Sequence, residues 1–223
     1  MSWQLAAAGG LAAAAGPAMA SAASALGRRW PWQVSTGWWR GDPAPPRYRW
    51  LAAAGVGGGS AIALGVVGAR PAAAAYLLMA AAGMCLALID LQHHLLPNRI
   101  VGPAAAACLV LLAVDGAATG SWPALLRGSI TAAVIFAVFF VLALISPAGI
   151  GLGDVKLAAV FGLLTGWLGW QVALVGVLAA FLLGAVIPAS RALARRSWPH
   201  RTAVFAFGPA LLLGCWLAVL SAG

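Results

Sequence analysis

The stretch ALLRGSITAAVIFAVFFVLALI, residues 124–145, decides the fold, because it carries no charge from Gly128 to Ile145. A hydrocarbon core of about 30 Å is crossed by about 20 apolar residues in helical form, so this stretch reads as a transmembrane helix. Comparable apolar runs lie at 4–26, 51–68, 72–90, 100–116, 155–168, 171–190 and 203–221, separated by short segments rich in Gly, Pro, Trp or Arg. The chain is 63% hydrophobic and 8% charged, which leaves too little polar surface to cover a soluble globule of 223 residues. The expected fold is all-α: one polytopic integral membrane helical bundle over 1–223, with about eight transmembrane helices.

Two boundaries need an argument. Gly166, Trp167, Gly169 and Trp170 separate the sixth and seventh spans without a charge, so these are one long kinked helix or two helices joined by a tight turn. The Trp residues favour the turn, since indole rings prefer the headgroup level. The first span runs into Ala20-Ser21-Ala22, which resembles a signal cleavage site. No basic residue precedes it and Arg28 and Arg29 follow it, the charge order of a true span whose amino end lies outside.

Lys and Arg set the orientation, because cations are retained on the cytoplasmic side. Arg28, Arg29, Arg40, Arg47, Arg49, Arg99, Lys156, Arg191, Arg195, Arg196 and Arg201 fall in or beside odd-numbered loops, and only Arg70 and Arg127 in or beside even ones. Odd loops are therefore expected in the cytoplasm and both termini outside. The net charge of +9 is distributed by topology and not gathered on a soluble domain, so anionic lipid headgroups are the expected partner and nucleic acid is not. Cys85, Cys108 and Cys215 form no CxxC pair and have no His at ligand spacing, so neither a metal nor a structural disulfide is expected.

Chemistry is sought among the acids, of which the chain has four: Asp42, Asp90, Asp115 and Asp154. Asp42 lies in a loop with Pro43, Pro45 and Pro46, and Asp115 at the outer end of the fourth span beside Gly116; both read as solvated loop residues. Asp90 ends the third span and Asp154 opens the sixth, which the expected topology puts at one cytoplasmic boundary. An ionisable group at membrane depth is costly and is paired or lines a wet cavity, so a functional role is the default. Asp154 closes Gly149-Ile150-Gly151-Leu152-Gly153-Asp154, whose alternate glycines allow an irregular backbone. Such backbone near membrane depth is tolerated where it lines water or is buried in protein. After Asp90, Pro97 fits a helix break, while His93 and His94 are adjacent and do not share one helix face.

At these residues the sequence resembles the type IV prepilin peptidase family, the membrane GxGD aspartic peptidases. Ile89-Asp90 followed by Leu95-Leu96-Pro97-Asn98 is similar to the family's first aspartate motif, and Gly149 to Leu157 to its second. Phe205-Ala206-Phe207-Gly208-Pro209 is close to its Pro-Phe-Gly-Pro element, with Ala for the first Pro. The resemblance covers roughly residues 80–215. It implies an aspartic endopeptidase with Asp90 and Asp154 as catalytic residues and no cofactor. Gly151, Gly153, Lys156, Pro97, Gly208 and Pro209 are the candidates for binding substrate. The substrate implied is a pilin-like precursor, cut between a basic leader and a hydrophobic helix. The protein is then expected in the bacterial inner or plasma membrane, its active site facing the cytoplasm, serving type IV pilus or protein secretion systems. Longer members carry a cytoplasmic insert with paired CxxC motifs and a second activity, N-methylation. Here residues 27–49 form a short basic loop without Cys. Peptidase activity alone is therefore expected.

In such an enzyme one carboxylate takes a proton from water while the other, protonated, polarises the scissile carbonyl. Like charges in a poorly solvated site cannot both ionise readily, which divides the roles. Helix polarity assigns the charged form to Asp154, near a helix start, and the protonated form to Asp90, near a helix end. A competing class is a proton- or ion-coupled transport component using the same carboxylates past a Gly-broken helix. It accounts for Asp154 but not for two aspartates at one boundary, and no internal repeat supports it.

Overall fold

The computed structural model describes residues 46–93, 96–146, 150–194 and 207–223, and in these the side chains of 50–91, 96–146, 150–186 and 207–223. All described elements are helices: α1 (Pro46–Val66), α2 (Pro71–His93), α3 (Asn98–Thr119), α4 (Trp122–Ile145), α5 (Leu152–Leu168), α6 (Trp170–Ala194) and α7 (Gly208–Leu220). Three are long and apolar enough to cross a bilayer, over Pro71–Leu91, Asn98–Thr119 and Trp122–Ile145; shorter apolar helices run over Trp50–Val66, Trp170–Val186 and Gly208–Leu220. The span expected at 4–26 lies outside the described residues, as do Asp42 and most of the expected loop at 27–49. The last residues of that loop prove helical, since α1 begins at Pro46 rather than at 51. Proline suits a first helical turn, where its missing N–H costs nothing.

The helices group into two compact units, α1–α3 and α4–α7. In the first unit α2 packs against both α1 and α3. Its buried positions include Ala72, Ala75, Tyr76, Met79 and the unbroken run Leu86 to Asp90, as expected of a central helix. Small residues set the approach. A Cβ on Gly55 of α1 would stand 2.5 Å from Met84 Sδ, and Cys108 of α3 donates its thiol to the Ala75 carbonyl at 3.6 Å. Gly68, at φ +76°, turns the chain from α1 into α2 through left-handed backbone that favours glycine.

In the second unit α5 is central, packing against α4, α6 and α7. Every residue from Val160 to Trp167 is buried. The α4–α5 seam is cut close by glycines, because a Cβ on Gly128 would lie 2.7 Å from the Leu163 carbonyl oxygen and one on Gly166 2.5 Å from the Thr131 side chain. Small residues at helix seams let backbones approach, the usual basis of packing in a bilayer. The outward side of α4 carries Leu126, Ile130, Val134, Val138, Val141 and Ile145, all exposed, as a lipid-facing surface requires. Gly169 alone divides α5 from α6, with Trp167 buried and Trp170 exposed on either side. The chain folds back there, since a Cβ on Gly176 would stand 3.7 Å from the Thr165 side chain. Of the two arrangements open in the sequence, the tight turn is the one observed. Along α7, a Cβ on Gly214 would meet the Gly176 carbonyl oxygen at 2.7 Å, so α6 and α7 pack closely as well.

Candidate active site

Asp90 lies in the last turn of α2, which ends at His93, and is 5% exposed. Buried Ile89 precedes it and exposed Leu91 follows. Pro97 then caps α3 in extended backbone, φ −70° and ψ 118°, its carbonyl accepting the N–H groups of Ile100 at 2.9 Å and Val101 at 3.3 Å. The helix break expected at Pro97 is thus present. The His93 side chain and His94 lie outside the described residues.

Asp154 is the third residue of α5 and is 7% exposed. Its Oδ2 accepts the Gly151 N–H at 3.2 Å, closing the helix start, and the positive end of the helix dipole favours a carboxylate there. The glycines act differently from the expectation. Gly149 is outside the described residues, and Gly151, at φ −77° and ψ 151°, holds ordinary extended backbone open to any residue. A Cβ at 151 would sit 3.5 Å from Asp154 Oδ2, an ordinary contact, so neither backbone nor space requires glycine there. Gly153 is already helical and partly buried. Lys156 is exposed where Asp154 is buried, so the two side chains leave α5 on different sides. Gly208 is buried at the start of α7 and Pro209 occupies its first turn. The α4–α5 seam pairs Ile135 with Gly162 and Thr131 with Gly166. Continued along both helices, that register brings Asp154 opposite the last two turns of α4, near the carboxyl-terminal end of its apolar surface.

The expectation that Asp115 is a solvated loop residue is overturned. Asp115 lies within α3 at 0% exposure. Its Oδ2 accepts Arg70 Nη2 at 2.8 Å and Thr119 Oγ1 at 3.4 Å, and its Oδ1 accepts the Ala72 N–H at 3.0 Å. That N–H is among those a helix start leaves without an intrahelical acceptor, so Asp115 caps α2 from the neighbouring helix. In the second unit Arg127 of α4 donates to the carbonyls of Gly166, at 2.7 Å, and Trp167, among the last of α5. Both roles depend on partners about 40 residues away in sequence, and local patterning holds no sign of them.

These features define a helical membrane protein whose two units each hold a buried carboxylate at the end of a central helix. More narrowly, the chain belongs to the type IV leader peptidase family, whose sequence model matches residues 76–189, an interval that contains Asp90 and Asp154. Among similar proteins are the "Prepilin leader peptidase/N-methyltransferase" of Stutzerimonas stutzeri, 29% identical over 66% of this chain and 50% of that protein, and the protein of the same name from Pseudomonas aeruginosa, 32% identical over 66% and 49%. That of Aeromonas salmonicida is 30% identical over 66% and 48%. The chain spans about half the length of the curated relatives it matches. No solved structure matches it.

Proposed function

We propose that this protein is a membrane aspartic endopeptidase that removes the basic leader from pilin-like precursors. The observation that carries the reading is the burial of Asp90 and Asp154, 5% and 7% exposed, within the interval that the family model matches. An ionisable group at membrane depth is paired or lines a wet cavity, so a functional role is the default reading. Asp154, charged at a helix start, takes a proton from water as the water attacks the scissile carbonyl. Asp90 holds a proton and donates a hydrogen bond to the carbonyl oxygen as negative charge develops on it. Returning a proton to the leaving amine completes the hydrolysis.

Eight spans with both termini outside put the two aspartates at the cytoplasmic boundary of the inner membrane. The precursor's hydrophobic helix lies in the bilayer beside the bundle, its junction with the leader level with the carboxylates. Pro97, Gly151, Gly153, Gly208 and Pro209 keep the approach narrow and free of bulky side chains, and exposed Lys156 meets an anionic group of precursor or lipid. The relatives' second activity is not carried over, because residues 27–49 lack the paired cysteines of the longer members' insert.

The test is cleavage of a pilin-like precursor co-expressed in membranes with wild type, Asp90→Asn or Asp154→Asn at equal membrane levels. Wild type is expected to cut and both variants to lose cleavage. Survival of cleavage in either variant removes the carboxylate pair, and a precursor panel left uncut by wild type returns the transport reading.

A further inference from the structure

Phe207, the residue before α7, is buried against two rings from other helices. Its centroid lies 5.7 Å from that of Phe181 in α6 and 6.1 Å from that of Phe139 in α4, and those two stack at 5.3 Å. The ring fills a notch left by Gly184 of α6, where a Cβ would stand 2.5 Å from Cε2 and 2.9 Å from Cδ2. One residue thus ties the start of α7 to α4 and α6 together.

The location matters for the site. α5 runs antiparallel to α6 and α6 to α7, so α7 starts at the end of this unit that carries Asp154. Phe139 also walls a small cavity of about 20 Å³ with Ala158, Phe161, Gly162 and Thr165 of α5. Ala158 follows Asp154 by four residues, one turn along the same helix face. The ring cluster therefore packs beneath the turn of α5 that presents the carboxylate.

We propose that Phe207 is a positioning residue: seated in the Gly184 notch and gripped by Phe139 and Phe181, it sets Gly208 and Pro209 at the Asp154 end so that the precursor's helix meets the carboxylate in register. This inference rests on the peptidase reading. A ring that merely filled the core would affect the amount of folded protein and leave the affinity for precursor unchanged. A positioning ring changes KM in protein that is fully folded.

The experiment titrates a pilin-like precursor against membranes holding wild type, Gly184→Ala, Phe207→Leu or the double variant at matched levels, with Asp154→Asn as the blank. Ordinary contact begins near about 3.4 Å, so a methyl at 184 must push the ring by about 1 Å, and a misplacement of that size lowers kcat/KM by on the order of tenfold to a hundredfold. The loss is expected mainly in KM. The double variant is expected to match Phe207→Leu, because leucine lacks the ring atoms that the methyl meets. Should Gly184→Ala not accumulate, Phe207→Leu alone reads the same quantity, as a raised KM from removing the ring. An unchanged KM in a single variant that accumulates overturns the proposal, as does a double variant whose loss is the full product of the two single losses. If wild type cuts no more than Asp154→Asn, the peptidase reading itself has failed; if wild type cuts and the notch variants match it, only the positioning role has.

Discussion

Replacing Asp115 by alanine removes a carboxylate that accepts three side-chain or backbone donors at 0% exposure. The Ala72 N–H loses its acceptor, a lost cap costing about 1 kcal/mol. The Arg70 side chain is 46% exposed, and solvent screening limits its ion pair to about 1 kcal/mol at most. Thr119 keeps its bond to the Asp115 backbone carbonyl at 2.7 Å and adds nothing to the loss. The expected cost is about 2 kcal/mol, which at about 2–4 °C per kcal/mol for a chain of this size lowers Tm by about 4–8 °C. Asp115→Asn retains an acceptor for Ala72, so its cost is about half that. Arg70→Met strands a buried carboxylate and is expected to cost about 2 kcal/mol, less than a fully buried pair because water reaches the gap. Combined, Arg70→Met with Asp115→Asn costs less than the two separately, because no charge is left stranded. Thermal unfolding of the detergent-purified protein, followed by tryptophan fluorescence, measures each shift. A change below about 1 °C for Asp115→Ala would refute the cap, and strict additivity in the cycle would refute the ion pair's contribution.

Other perturbations test the helix seams and the second clamp by the same assay. Gly128→Ala gains about 1 kcal/mol in helix propensity, yet its methyl stands 2.7 Å from the Leu163 carbonyl oxygen and 3.2 Å from Trp167 N, and overpacking against backbone costs about 1–3 kcal/mol, so a lower Tm is expected. Gly58→Ala, with nothing within 4 Å of the new atom, is expected to raise it by the propensity alone. Arg127→Gln takes a cation from the carbonyl end of α5 and is expected to cost about 1 kcal/mol.

Much of the architecture was legible because lipid permits few solutions: each crossing needs an apolar run of a given length, and such runs stand out at 72–90, 100–116 and 124–145. Asp90 and Asp154 stand out in the sequence for a related reason, since in a chain with four acids each one must be accounted for, and both prove buried. Asp115 was misread because its surroundings in sequence, the end of an apolar run beside Gly116, match those of a solvated residue. Its partners Arg70 and Ala72 come from the start of another helix. The glycines before Asp154 suggest an irregular backbone, whereas Gly151 adopts a conformation open to any residue and has space for a Cβ. Phe207 stood out only as part of the element Phe205 to Pro209; the Gly184 notch and its grip by two rings are properties of packing.

The two cations that break the charge asymmetry of the loops, Arg70 and Arg127, are also the two that clamp helix ends. Arg70 supports the carboxylate that caps α2 at Ala72, and Arg127 holds the carbonyls that finish α5 at Gly166 and Trp167. Their placement thus has a structural cause. α2 and α5 are the helices that carry Asp90 and Asp154, and each is clamped at the end remote from its aspartate. With a rise of 1.5 Å per residue, Asp90 stands about 27 Å from the Ala72 cap and Asp154 about 18 Å from the Gly166 clamp. Each unit therefore fixes one end of its central helix by internal polar bonds and reserves the other for a buried carboxylate.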